Sequence, residues 1–95
     1  MEHIFVVSDY SGRKIRFPAE RWKHIIAEHP DVSEPEEIKE TLLNPLKITP
    51  SKYSPENVCY YYRYLKPRKR YLLVAVKYLN GEGFVITAYY RRTIA

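Results

Sequence analysis

The chain has 95 residues, enough for one domain with one core, and its 45% hydrophobic and 28% charged content excludes extended disorder. Lysine and arginine exceed the acids to give a net charge of +5, and the excess sits in residues 51–95, whose only acids are Glu56 and Glu82. The lone Cys59 excludes an internal disulfide and a cysteine-built zinc site, and the absence of a long apolar run or signal-peptide layout predicts a cytoplasmic protein made without processing.

In chain order, residues 3–7 form a short apolar run, Asp9-Tyr10-Ser11-Gly12 supplies turn residues, and residues 14–17 alternate, which predicts an N-terminal hairpin. Pro18 suits the first position of a helix with Glu20 in its first turn. Trp22, Ile25 and Ile26 give that helix an apolar stripe, and Pro30 ends it near Glu28. Ser33-Glu34-Pro35-Glu36 reads as a capping box opening a second helix. Ile38, Leu42 and Leu43 are its predicted buried side, and Asn44-Pro45 stops it. Strands follow at 46–49, 58–65, 70–79 and 84–92, with Asn80-Gly81-Glu82-Gly83 turning the last pair. Val58 and Tyr60 place Cys59 in a strand, as a buried and inert thiol. The predicted fold is α+β: a single domain over 1–95, with an N-terminal hairpin and two helices packed on one face of an antiparallel four-stranded meander sheet.

Ten tyrosines mark the chain, and most lie in or beside strand segments. Tyr60, Tyr61, Tyr62 and Tyr64 lead into Lys66-Pro67-Arg68-Lys69-Arg70, and Tyr71, Tyr78, Tyr89 and Tyr90 follow. Flat rings beside cations meet the physical needs of single-stranded or looped RNA, since bases stack and phosphates are neutralised. Tyrosine is also a favoured strand residue, so composition leaves both readings open. Patterning narrows the site. In 70–79 the even residues Leu72, Val74, Val76 and Tyr78 are apolar; in 84–92 the even residues Phe84, Ile86, Ala88 and Tyr90 are mostly so. The two apolar faces coincide only across a turn with an odd number of residues, which predicts a three-residue turn before Gly83. Lys77, Thr87, Tyr89 and Arg91 would then share the other face, floored by Leu73 and Ala75.

His24 and His29 are the candidate proton-transfer groups. On an ideal helix they stand about 140° apart, and with no cysteine partner a shared metal is not expected. Attack by an RNA 2′-hydroxyl on its own phosphate needs a base, an acid and phosphate donors, a kit that histidine, lysine, threonine, tyrosine and arginine supply. The structural alternative makes His24 a solvated helix residue, His29 a polar cap before Pro30, and Lys77 a strand-end lysine reaching water. No glycine-rich phosphate loop, paired-carboxylate motif or serine elbow is present.

Arg21-Trp22-Lys23-His24-Ile25, His29-Pro30-Asp31 and Leu43-Asn44-Pro45, followed by Tyr61-Tyr62, Leu73-Val74-Ala75-Val76-Lys77 and Ile86-Thr87-Ala88-Tyr89, resemble the phage-associated branch of the barnase–EndoU–colicin–RelE (BECR) nuclease fold. The resemblance runs from about residue 20 to residue 91 and rests on the ordered set, with Asp31 where glutamate is expected. It implies a small metal-independent endoribonuclease without cofactor, acting on transfer or messenger RNA, of the kind found as toxins paired with an acidic antitoxin. Carried over, His24 or His29 is the general acid/base, with Lys77, Thr87 and Tyr89 beside it. RNA-binding positions are Arg91, Arg63, Tyr62, Arg68, Lys69 and Arg70. The alternatives are a non-catalytic RNA-binding module and a protein-interaction domain of the same fold.

Overall fold

The hydrophobic pattern resolves into six strands and two helices in a computed structural model that describes residues 2–94. They are β1 (His3–Ser8), β2 (Lys14–Pro18), α1 (Ala19–Glu28), α2 (Pro35–Leu43), β3 (Lys47–Pro50), β4 (Val58–Leu65), β5 (Arg70–Leu79) and β6 (Glu82–Arg91). Pro18 is the N-cap of α1, and the helix ends where Pro30 bars His29 from helical geometry. The capping box expected at Ser33 does not form. Glu34 is the N-cap of α2 with no side-chain cap bond, and Pro35 starts the helix through its fixed φ. Ile25, Ile38 and Leu42 are buried, whereas Ile26 and Leu43, both expected inside, are exposed. Among the described residues no helix is long and apolar enough to cross a membrane.

The expected four-stranded antiparallel sheet with a separate hairpin is corrected to one six-stranded mixed sheet, ordered β1-β2-β6-β5-β4-β3. The hairpin joins it through parallel pairing of β2 with β6, at Ile15↔Gly83 and Arg16↔Phe84. Gly83 makes this joint possible. A Cβ there would meet the Tyr78 ring at 2.9 Å and the Ile15 and Val76 side chains at 3.1 Å. The edge of β6 that a free meander would leave unpaired is thereby covered along its first residues.

The main core lies between the helices and one sheet face, where Ile25, Val32, Ile38 and Leu42 meet Phe17, Leu72, Val74, Val76, Val85 and Ala88. At its edge Asp9 is buried and accepts hydrogen bonds from Ser11, Arg13 and the Tyr78 hydroxyl (2.9 Å), and Tyr78 and Tyr61 share a 2.5 Å hydroxyl contact. The Arg13 guanidinium lies 3.8 Å from the Tyr78 ring centroid, closing the network. It ties the β1–β2 turn to the middle of the sheet.

The β5–β6 hairpin departs from its predicted form. Leu79 pairs with Glu82, so the turn has two residues, Asn80 and Gly81, both at positive φ (53° and 80°). Parity is restored further on, by an irregularity at Ile86 between the pairs Ala75↔Thr87 and Val76↔Val85. Phe84 and Ile86, assigned by alternation to the core face, therefore stand on the opposite one, with Thr87 and Tyr89.

Candidate nucleic-acid interface

The sheet face turned away from the main core is built in cross-strand rows. Pairing of β4, β5 and β6 sets Tyr64, Tyr71 and Arg91 abreast, then Tyr62, Leu73 and Tyr89, then Tyr60, Ala75 and Thr87. The fourth row holds Val58, Lys77 and Phe84. Successive rows are about 7 Å apart. Lys77, Thr87, Tyr89 and Arg91 thus share one face, with Tyr62, Leu73 and Ala75 as a floor against which Tyr60, Ile86, Tyr89 and Ile94 pack. Tyr62 is itself only 4% exposed, so its ring is floor and offers no free stacking surface.

A groove of about 320 Å³ opens over the first three rows, lined by Tyr53, Tyr60, Tyr62, Tyr89, Arg91 and Lys52 among others. Tyr53 stands on the 51–57 loop and is 92% exposed, the most open large ring of the molecule's described part. Buried Ser51 anchors that loop: its Oγ accepts from the Tyr53 and Ser54 amides at 3.2 and 3.4 Å and lies 3.3 Å from the Tyr60 hydroxyl. Tyr53 and Lys52 were missed in the sequence. The available signal was an aromatic and a cation held between Pro50 and Pro55, in a loop too short to bury either.

The imidazole arrives from α1. Because β2 pairs with β6 only as far as Phe84, α1 takes up the space beside the rest of that strand. His29 caps the helix, its amide donating to the Ile25 carbonyl at 2.7 Å, and its ring lies on Tyr89 with centroids 5.3 Å apart and planes 29° from parallel. Among the described residues no group hydrogen-bonds the His29 ring. Burial, and then the neighbouring Tyr60, push the Tyr89 hydroxyl above its ordinary pKa against the opposing pull of Arg91, so it stays a neutral donor at working pH. His24 is exposed and makes no ring contact or hydrogen bond among the described residues.

Compared with known protein families, curated sequences and solved structures, the chain matches none.

The other candidate positions divide between the two faces. Lys77 is two rows from Tyr89, about 13 Å along the sheet, and lines a second groove. Arg63 pairs with Leu72 on the helix side and donates to the Asn44 carbonyl at 3.2 Å. Arg68 lies 4.9 Å over the Tyr90 ring with its Nε 3.7 Å from Glu37, and shares a recess on the helix side with Arg70 and Asp31. Glu37 also accepts the Tyr90 hydroxyl at 2.5 Å; burial and that bond push the Tyr90 pKa up. Lys69 is exposed at the tip of the β4–β5 turn with φ 53°. Of the six RNA-binding positions read from the sequence, Tyr62 and Arg91 lie on the tyrosine face, while Arg63, Arg68 and Arg70 lie on the helix side. Among the described residues no three His, Cys, Asp or Glu side chains gather as a metal-ligand set.

Proposed function

We propose that the tyrosine face binds single-stranded RNA and that the chain is a small metal-independent endoribonuclease. The observation that carries this reading is the His29 ring stacked on Tyr89, on a face that also presents Thr87 and Arg91. In the proposed reaction His29 accepts the proton of a ribose 2′-hydroxyl, whose oxygen attacks the adjacent phosphorus. The bond from phosphorus to the 5′-oxygen breaks, leaving a 2′,3′-cyclic phosphate, and the departing oxygen takes a proton from solvent. Tyr89 hydrogen-bonds the leaving oxygen, Arg91 pairs with the phosphate, and Thr87 supplies a further donor. Lys77, two rows away, is out of reach of the reacting phosphate. The resemblance of the chain's residue strings to those of the BECR nucleases agrees with the same reading, and with it an acidic antitoxin as a proposed protein partner. A second reading, an RNA-binding module without cleavage, is favoured by one fact: among the described residues a single imidazole, that of His29, stacks on the face.

Incubation with total RNA in EDTA, followed by end-group analysis, tests both. Fragments ending in 2′,3′-cyclic phosphate are expected. His29→Ala should remove them, by at least about a hundredfold in rate, while leaving oligonucleotide affinity within a few-fold, and His24→Ala should cleave as the parent does. Intact RNA with binding retained would select the second reading. Loss of both cleavage and binding in the parent protein would sink the two together.

A further inference from the structure

We propose that the groove between the start of α1 and the β5–β6 turn is a second nucleotide subsite of the tyrosine face, so that one single-stranded RNA segment bridges two grooves. This rests on the reading of that face as an RNA site. The groove holds about 330 Å³, and its lining includes Glu20, Arg21, Lys77, Leu79, Phe84 and Ile86. Its floor is apolar and aromatic: Phe84 is half-buried, and Leu79 is 45% exposed without a partner over it. Such a floor offers a base the same stacking surface that the tyrosines offer at the other end.

Its charges are available. Arg16, next to Phe84 across the parallel pairing, is already committed to Glu82. Arg21 and Lys77 are exposed and make no salt bridge among the described residues. Two uncommitted cations beside an aromatic floor suit a phosphate followed by its base.

The two grooves are also neighbours on one sheet face. Between their linings stand Ala75 and Thr87 of the third row, where Ile86 packs against the floor of the face. From the row of Arg91 to that of Lys77 the face is about 20 Å long, a span for about four nucleotides, the lower end of common single-strand footprints. Helix α1 runs along the same border, with Arg21 lining one groove and His29 stacked on Tyr89 of the other's lining, eight residues or about 12 Å apart. An extended peptide is the weaker occupant, because strand addition needs a free sheet edge, and beside this groove the edge of β6 is taken by β2 and α1.

The test is fluorescence anisotropy at low salt with a labelled 2′-O-methyl RNA trinucleotide and octanucleotide, which lack the attacking hydroxyl. The parent protein should bind the octanucleotide at least about tenfold more tightly. Phe84→Ala with Lys77→Ala should bring the octanucleotide down to the trinucleotide's affinity and leave the trinucleotide unchanged. Lys77→Glu, at an exposed position with no packing to lose, should lower octanucleotide binding alone. Equal affinity for both lengths, or equal loss of both in the variants, would overturn the second subsite while leaving the RNA reading intact. Failure of the parent to bind either length would overturn both. Competition by poly-glutamate as effective as the octanucleotide would overturn the assignment to nucleic acid.

Discussion

Asp9 is 7% exposed and is held by Ser11, Arg13 and Tyr78, whose hydroxyl also meets that of Tyr61. Burial alone would raise its pKa, but the hydrogen bonds from Ser11, Tyr78 and Arg13 together hold it below the ordinary value of 3.8. A depressed carboxyl stabilises the fold above its unfolded pKa, and that stability is lost as pH falls through the folded one. Tyr78→Phe removes one donor to Asp9 and the partner of Tyr61. It should cost about 1–3 kcal/mol in urea unfolding at pH 7. The cost should shrink at a pH low enough to protonate Asp9. A cost equal at both pH values would mean that the ionised carboxylate contributes nothing through Tyr78. The sequence showed Asp9 only as a turn residue, because its partner Tyr78 lies 69 positions away. Likewise the stacking of His29 on Tyr89 joins a helix cap to a late strand, a meeting no local pattern encodes.

At the level of elements, the joint between β2 and β6 depends on an absent side chain. Gly83→Ala would drive a methyl group against Tyr78, Ile15 and Val76 at distances that core packing does not tolerate. The loss should be about 1–3 kcal/mol, read as a lower urea midpoint. Amide exchange should quicken most at Ile15 and Arg16, whose pairing with β6 loosens first. Uniformly faster exchange would show that the joint is no weaker than the rest of the sheet. Strands 58–65 and 70–79 were readable because alternation and turn residues bound them on both sides. The parallel joint was not, since a two-pair contact between distant segments leaves no periodic trace. The hairpin shows a subtler gap. Alternation required one extra residue, and a three-residue turn was the obvious place for it. The structure puts it at Ile86 inside the strand, where a bulge has no compositional mark. The run 66–70 misled for the opposite reason. A continuous stretch of cations spans a turn, so it reads as one patch while Arg68 and Arg70 join the acids Glu37 and Asp31 on the helix side.

For the whole molecule, buried and half-buried tyrosines weigh on alkaline stability as Asp9 weighs on acid stability: Tyr61, Tyr78, Tyr89 and Tyr90 are all raised, Tyr78 and Tyr90 the most. Burial first, then the bonds to Tyr61 and Asp9, raise Tyr78; burial, then Glu37, raise Tyr90. Raised acids leave stability whole below the unfolded value near 10.0 and remove it as pH climbs through the folded values. Thermal melting should therefore fall above pH 10, and less steeply in Tyr90→Phe. Charge is divided by the sheet as well. On the helix side Arg68 is within reach of Glu37. On the tyrosine face and its border, Arg21, Lys52, Lys77 and Arg91 make no salt bridge among the described residues. Each phosphate held by a single-stranded ligand contributes about −0.7 to the slope of log affinity against log salt. If the tyrosine face is the binding surface, Lys77→Ala should make that slope shallower by about 0.7, and Arg68→Ala should leave it unchanged. The converse result, a shallower slope from Arg68→Ala and none from Lys77→Ala, would move the nucleic acid to the helix side, where the cations already have carboxylates as neighbours.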